Sequence, residues 1–236
     1  MFGGIRIDIC RFGIALALTA GLAVAVPISD AAGQTGGVEP WQTMSGEEQI
    51  RLYYLPRASA GDATAQYYLG HMYQNGLGVD TDKQAAADWY ARAAAQNDPR
   101  ALYRLGLMLQ TGDGIPQDRP RAISLYRRAA EQGVLEAYFN MAQMVERGEG
   151  TAADPVAAAG MFEQLADAGM TEAMRELGRI NAQREDRDLA AAWYWFALAA
   201  AKGDAQAGEL ARLIAGSMTE DELAEGQKRL GKSLNK

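Results

Sequence analysis

Few residues in this sequence have types and spacings that could do chemistry. The glycine pair Gly76-x-Gly78, followed by the alanine-rich run KQAAADWYARAAA, has the letters of a phosphate-cradling loop. Such a loop needs a strand before it and a helix directly after its last glycine, so that backbone N–H groups and the helix N-terminus meet the anion. Here the helix-forming stretch ATAQYYLGHMYQN comes before the glycines, and Val79, Asp80 and Thr81 separate Gly78 from Asp82. The pair also returns as Gly112-x-Gly114 and Gly148-x-Gly150, 36 residues apart each time. A nucleotide site has no use for three copies in register, so these glycines punctuate helices. His71 is the only histidine, and a serine or cysteine triad would depend on it alone, without evident partners. A zinc site needs several His or Cys ligands, and the whole chain offers only His71 and Cys10. The carboxylates fall mostly where helices start, and the run EDELAE from Glu220 reads as a solvated helix start rather than a calcium loop. No catalytic residue, cofactor or metal is assigned, and the chain reads as a non-enzyme.

Composition narrows the class further. A hydrophobic share of 48% is that of a globular protein, and the 26 glycines are spaced rather than clustered. The net charge of −7 argues against nucleic acid and anionic lipid as partners. At the N-terminus, Arg6 and Arg11 precede an apolar run from Phe12 to Pro27, and Ser29 and Ala31 follow with the −3/−1 spacing of a cleavage site. Residues 1–31 therefore read as a secretory signal peptide and the mature chain as exported to the periplasm. The alternative is an uncleaved anchor in the inner membrane facing the periplasm, although the run falls short of the ~20 residues a spanning helix needs. Cys10 lies ahead of the apolar run, so it is not a lipoprotein cysteine. Cleavage near Ala31 leaves a mature chain with no cysteine, hence neither a disulfide scaffold nor a thiol nucleophile.

The elements that position everything else come from a repeat. Leu69-Gly70 returns as Leu105-Gly106, Met141-Ala142 and Leu177-Gly178, and Ala65 as Ala101, Ala137 and Ala173, always at a step of 36. A fixed period of this size is the mark of a solenoid. Within each unit Asp62, Asp98 and Thr171 are placed to cap a first helix, and Pro99 suits the position after its cap. Gly106 is read as letting a neighbouring backbone come close. Gly76, Gly112 and Gly148 end the first helices as positive-φ residues do. Asp82, Asp118 and Asp154 cap the second helices, which Asn97, Gly133 and Gly169 close. The fourth unit lacks the glycine loop and is two residues shorter, with Asp188 as its cap and Gly203 as its end. The expected organisation is a flexible segment 32–44, a capping helix 45–60, and a solenoid 61–216 with repeats at about 61–96, 97–132, 133–168 and 169–202. A last first-type helix then leads to a C-terminal capping helix in 217–236. Ser45-x-x-Glu48 and Thr219-x-x-Glu222 are capping boxes opening the two terminal helices, and Pro56 should kink or break the first of them.

Ala65, Leu69, Gly70, Tyr73, Gly76, Gly78, Val79, Asp82, Ala86, Trp89, Tyr90, Ala93 and Ala94 together fill a known pattern. The chain closely resembles the Sel-one-like repeat family, a cousin of the tetratricopeptide repeat, over about residues 61–210. The resemblance weakens where Met161-Phe162 replaces the aromatic pair and where the fourth unit loses its loop. It implies an all-α, right-handed superhelical α/α solenoid of about four helix pairs with helical caps. It also implies an adaptor or regulator that binds a partner protein on a concave face, often in the bacterial envelope. Cysteine-rich relatives associated with penicillin-like ligands carry a cysteine pair in each repeat, which this chain lacks.

With first helices lining the concave side, residues one period apart form columns. The first column is Tyr67, Tyr103, Phe139 and Arg175, the second His71, Leu107, Gln143 and Arg179, and the third Gln74, Gln110 and Glu146. Aromatic rings with polar flanks suit a peptide groove. The same rings equally suit packing between helices, and sequence does not separate the two. Arg100, Arg104, Arg119, Arg121, Arg127 and Arg128 concentrate positive charge in the second unit, as a solvated face or a patch for an acidic partner. Trp89-Tyr90 and the run from Trp193 to Phe196 read as interhelix packing. A cell-wall enzyme or small-ligand binder and a self-assembling spacer are the competing readings. The first would need a convergent acid–base pair that the sequence does not supply.

Overall fold

The computed structural model describes residues 44–183 and 187–234. The expected leader, Cys10 and the segment expected to be flexible, up to residue 43, lie outside the described residues. Eleven helices make up the described chain: α1 Gly46–Ser59, α2 Ala63–Asn75, α3 Lys83–Ala95, α4 Pro99–Thr111, α5 Arg119–Ala130, α6 Leu135–Arg147, α7 Pro155–Asp167, α8 Thr171–Gln183, α9 Leu189–Ala201, α10 Ala205–Ala215 and α11 Glu220–Leu234. Consecutive helices from α1 to α10 pack on one another, which is the pattern of a one-dimensional stack.

The caps follow the period. Asp62 accepts the Ala65 N–H and Asp98 the Arg100 and Ala101 N–H groups, while Asp82, Asp118, Asp154 and Asp188 do the same at the starts of α3, α5, α7 and α9. Thr171 does not cap α8. It is the first helical residue, one past the periodic position held by Asp62, Asp98, Val134 and Met170, and its hydroxyl donates to Glu172 at 3.4 Å. Pro56 does not break α1. The helix runs through it to Ser59, with the exposed ring removing one ladder bond, while the Pro56 carbonyl still accepts from Ala60 N. Packing on α2 offsets that loss: Ala58 is buried, the Gln66 amide donates to its carbonyl at 3.1 Å, and Tyr54 stacks on Tyr68.

Each unit is closed by one buried ring. Tyr90, Tyr126 and Phe162 are fully buried, and Phe196 nearly so. The ring of Tyr126 lies where a Cβ on Gly106 would be, at 2.7 Å, and Gly70 and Gly178 stand in the same relation to Tyr90 and Phe196. Gly106 thus admits a side chain from the second helix of its own unit, not a neighbouring backbone.

The two loop glycines have different tasks. Gly76, Gly112 and Gly148 turn the chain out of the first helix with φ near 70°. Gly78, Gly114 and Gly150 also have positive φ, and each lies against the start of the preceding unit's second helix: Glu47–Glu48 of α1, Lys83 of α3, and Arg119–Pro120 of α5. The residue between the glycines reinforces this seat, Asp113 pairing with Lys83 and Glu149 with Arg119 at 3.8 Å. No glycine pair follows α10. Instead α11 packs back on α9, where Gly226 lies against Trp193 and the Ala190 carbonyl. The terminal helix therefore stands where the glycine loop of a further unit would sit.

The α11 contact is sensitive to acid. Burial pulls the Asp188 carboxyl upward, but the Ala191 N–H and the Arg229 guanidinium at 3.2 Å outweigh it, and the group titrates below its ordinary 3.8. A depressed carboxylate contributes stability above its unfolded pKa and loses it as pH falls through the folded value. Protection of α11 against hydrogen exchange, relative to the intrinsic amide rate, is therefore expected to fall below about pH 4 before that of α4 and α6, and Asp188→Asn should remove the difference.

Candidate interaction face

The residues of the three predicted columns lie on the first helices α2, α4, α6 and α8. Tyr67, His71, Gln74, Tyr103, Leu107, Gln110, Phe139, Gln143, Glu146, Arg175 and Arg179 are all neither buried nor fully exposed. Their local roles differ.

The aromatic column serves packing with one side of each ring. Tyr67, Tyr103 and Phe139 meet the buried rings Tyr90, Tyr126 and Phe162 of their own units at centroid distances of 5.8, 6.0 and 5.6 Å. Tyr67 is covered further by the Arg100 guanidinium, 4.4 Å from its centroid, which also lies over Tyr68 and binds Asp98. Tyr103 and Phe139 carry no such cover among the described residues. In the fourth unit Arg175 takes the ring's place and turns to Asp204 and Gln206 at 2.9 Å.

The third column is tied to the buried rings. The Tyr90 hydroxyl donates to Gln74 at 2.9 Å and the Tyr126 hydroxyl to Gln110 at 2.7 Å. Burial pushes both phenols well above their ordinary value, so each stays a neutral donor. Where the ring is Phe162, without a hydroxyl, the partner position holds Glu146, which accepts from Arg179 at 2.6 Å instead. Arg179 also binds Glu176 and Gln183 of its own helix, so that its bond to Glu146 stitches the third unit to the fourth. His71 titrates below the ordinary imidazole value because burial, and then the positive charge of Arg104, disfavours its protonated form. Among the described residues no group of three or more His, Cys, Asp or Glu could hold a metal, and no helix is long and apolar enough to cross a membrane.

At the C-terminal end the face deepens into a recess of about 510 Å³ between α8 and α10, lined by Arg175, Arg179, Phe196, Leu210, Leu213 and Ile214 among others. Leu213 is 75% exposed. Arg175 and Arg179 were singled out from the sequence, but Phe196, Leu210, Leu213 and Ile214 were not. The signal was there: Leu213 continues the column His71, Leu107, Gln143, Arg179 once the two-residue shortening of the fourth unit is applied.

The helix-pair repeat recurs in known proteins. The Sel1 repeat matches the chain four times, at residues 63–98, 99–134, 135–170 and 171–204. The chain belongs to the Sel1 repeat family. It is similar to the crystal structure of a Sel1 repeat protein from Oxalobacter formigenes, with 26% identity, a TM-score of 0.66, and coverage of 79% of this chain and 77% of that one. It is similar also to c5321, a protective antigen of uropathogenic Escherichia coli with this fold, at 26% identity and a TM-score of 0.67. That match covers 78% of this chain but only 40% of c5321. No curated protein matches. The fold is thus a right-handed superhelical α/α solenoid of four Sel1 helix pairs, a scaffold that in this family serves protein–protein interaction.

Proposed function

We propose that this Sel1 repeat chain is a non-catalytic adaptor or regulator of the bacterial cell envelope, holding a segment of a partner protein on its concave, first-helix face. The single observation that supports this most is the run of half-buried side chains along α2, α4, α6 and α8, opening into the recess beside α10. Half-buried rings and apolar side chains offer area already partly desolvated and held in place, so little ordering accompanies binding. The leader read in residues 1–31 is the ground for placing the protein in the periplasm, where protease accessibility of intact spheroplasts tests it. The face is tested by photo-crosslinking in cells. A crosslinking residue at Gln143 or Leu213 is expected to trap one protein, and the same residue at the exposed Ser124 or Arg127 of α5 to trap none. Adducts only from the α5 positions would move the binding surface to the second helices and refute the proposal.

A further inference from the structure

The N-terminal half of this face has an uncompensated positive charge. Neither α2 nor α4 contains a single Asp or Glu, although the chain carries 30 in 236 residues, a share that would put about three in the 26 residues of these helices. They carry Arg100, Arg104 and His71 instead. Arg100 is engaged by Asp98 and by the rings of Tyr67 and Tyr68. The half-buried Arg104 has no hydrogen-bond or ion-pair partner among the described residues. The capping carboxylates nearby are committed, Asp62 to Arg57 and Asp98 to Arg100. Further along, the cations are answered within the protein, Arg179 by Glu146 and Glu176 and Arg175 by Asp204. In register with Arg104 the third unit has Asn140, and beside them stand Tyr103, Leu107 and Phe139.

Resting on the reading that this face binds a partner protein, we infer that its occupant at α2 and α4 is an acidic segment, a carboxylate taken by Arg104 and flanking apolar side chains laid on Tyr103, Leu107 and Phe139. A guanidinium presents two parallel donors to a carboxylate, and in a partly desolvated setting such a charge-assisted pair is stronger than a neutral hydrogen bond. His71 reports the event. The charge acting on it is Arg104 of α4; the Tyr90 phenol of α3, pushed up by burial, is neutral near pH 7. Burial is the larger cause that lowers His71 and the Arg104 charge the smaller. A carboxylate on Arg104 removes the second cause, so a segment that leaves the imidazole's exposure unchanged raises its pKa, and by linkage binds more tightly as pH falls through the imidazole range.

The test uses the untagged protein and three short labelled peptides: one alternating Glu with Leu and Tyr, one with Gln for each Glu, and one with Lys for each Glu. Because His71 is the only histidine, its ring proton is a single NMR signal that needs no assignment. The acidic peptide is expected to bind at least about tenfold more tightly than the glutamine peptide and to raise the His71 pKa. Arg104→Gln should abolish both effects, Arg104→Lys keep part of them, and Arg127→Gln on the outer helix leave them unchanged. Circular dichroism would establish that each variant is folded. Equal binding of the glutamine or lysine peptide, acidic-peptide binding that survives Arg104→Gln, or no acidic binding at all would overturn the inference. A partner crosslinked at Gln143 through a neutral or basic segment would overturn it while leaving the adaptor reading standing. No crosslink at either Gln143 or Leu213 would remove the reading beneath it.

Discussion

Gly150→Ala is expected to destabilise the protein by about 2–5 kcal/mol, several times the effect of any surface change. Two costs combine. Gly150 has φ 77°, and an alanine held there costs roughly 1–2 kcal/mol. Its new Cβ would also lie 2.7 Å from the Arg119 carbonyl carbon and 2.8 Å from the Pro120 nitrogen, backbone atoms of a capped helix start that cannot rotate aside. Overpacking of that kind adds about 1–3 kcal/mol. Two controls isolate the terms. Gly133 has φ 86° but open space around its Cβ position, so Gly133→Ala should cost only the conformational part. Gly160 lies inside α7 with nothing within 4 Å, and Gly160→Ala should stabilise by about 0.5–1 kcal/mol. Urea unfolding followed by circular dichroism ranks the three. Equal losses for Gly150→Ala and Gly133→Ala would mean that the seat of the loop on α5 has no energetic weight.

That comparison marks where the sequence was legible and where it was not. A period of 36 exposes every position that must be repeated, so the capping aspartates, the loop glycines and the chain-terminal capping boxes can be assigned from spacing alone. Spacing does not say which neighbour a repeated residue answers to. Gly76 and Gly78 recur with equal fidelity, yet one serves its own helix end and the other the preceding unit. Gly106 recurs because a ring of its own unit fills the space, which looks identical in sequence to a site of backbone approach. Thr171 is a good capping residue one place off the period, whereas the position in register is held by the apolar Met170. Pro56 lies inside α1 without ending it, because packing on α2 decides there. The columns were legible for the same reason as the caps. What covers them was not, since Arg100 reaches Tyr67 across the unit boundary.

The chain also contains its own variants of one design. Where the buried ring is Tyr90 or Tyr126 the first helix supplies Gln74 or Gln110 as acceptor. Where it is Phe162, Glu146 turns to Arg179, and where it is Phe196 the position is Ala182. A buried hydroxyl without an acceptor costs about 1–3 kcal/mol, so ring and acceptor have to change together. Two of the three residues in the third column are therefore committed to the core before any ligand arrives. Gln110→Leu should accordingly destabilise the protein as much as it affects a partner.

Tyr126→Ala is expected to cost about 3–5 kcal/mol, the largest single loss in the molecule alongside Phe162→Ala, because the fully buried ring leaves a cavity bounded by Gly106 and Tyr103. Tyr126→Phe keeps the ring and loses the hydroxyl's bonds to Gln110 and Asn140, both half-buried and able to turn to water; about 1 kcal/mol is expected. Tyr103→Ala removes the other ring of the same stack, but one already half in solvent. Lost contact area and the ring pair together come to about 1–2 kcal/mol. The contrast separates the two roles that the aromatic column leaves open. A residue present only for packing would show a stability loss and no effect on the crosslinked partner once folded protein is compared with folded protein. If the outward side of Tyr103 meets the partner, Tyr103→Ala will diminish crosslinking at Gln143 by far more than Tyr126→Phe does, although the two variants differ little in stability. Parallel losses in the two variants would place Tyr103 with the core and shift the binding surface to Leu107, Phe139 and the recess beside α10.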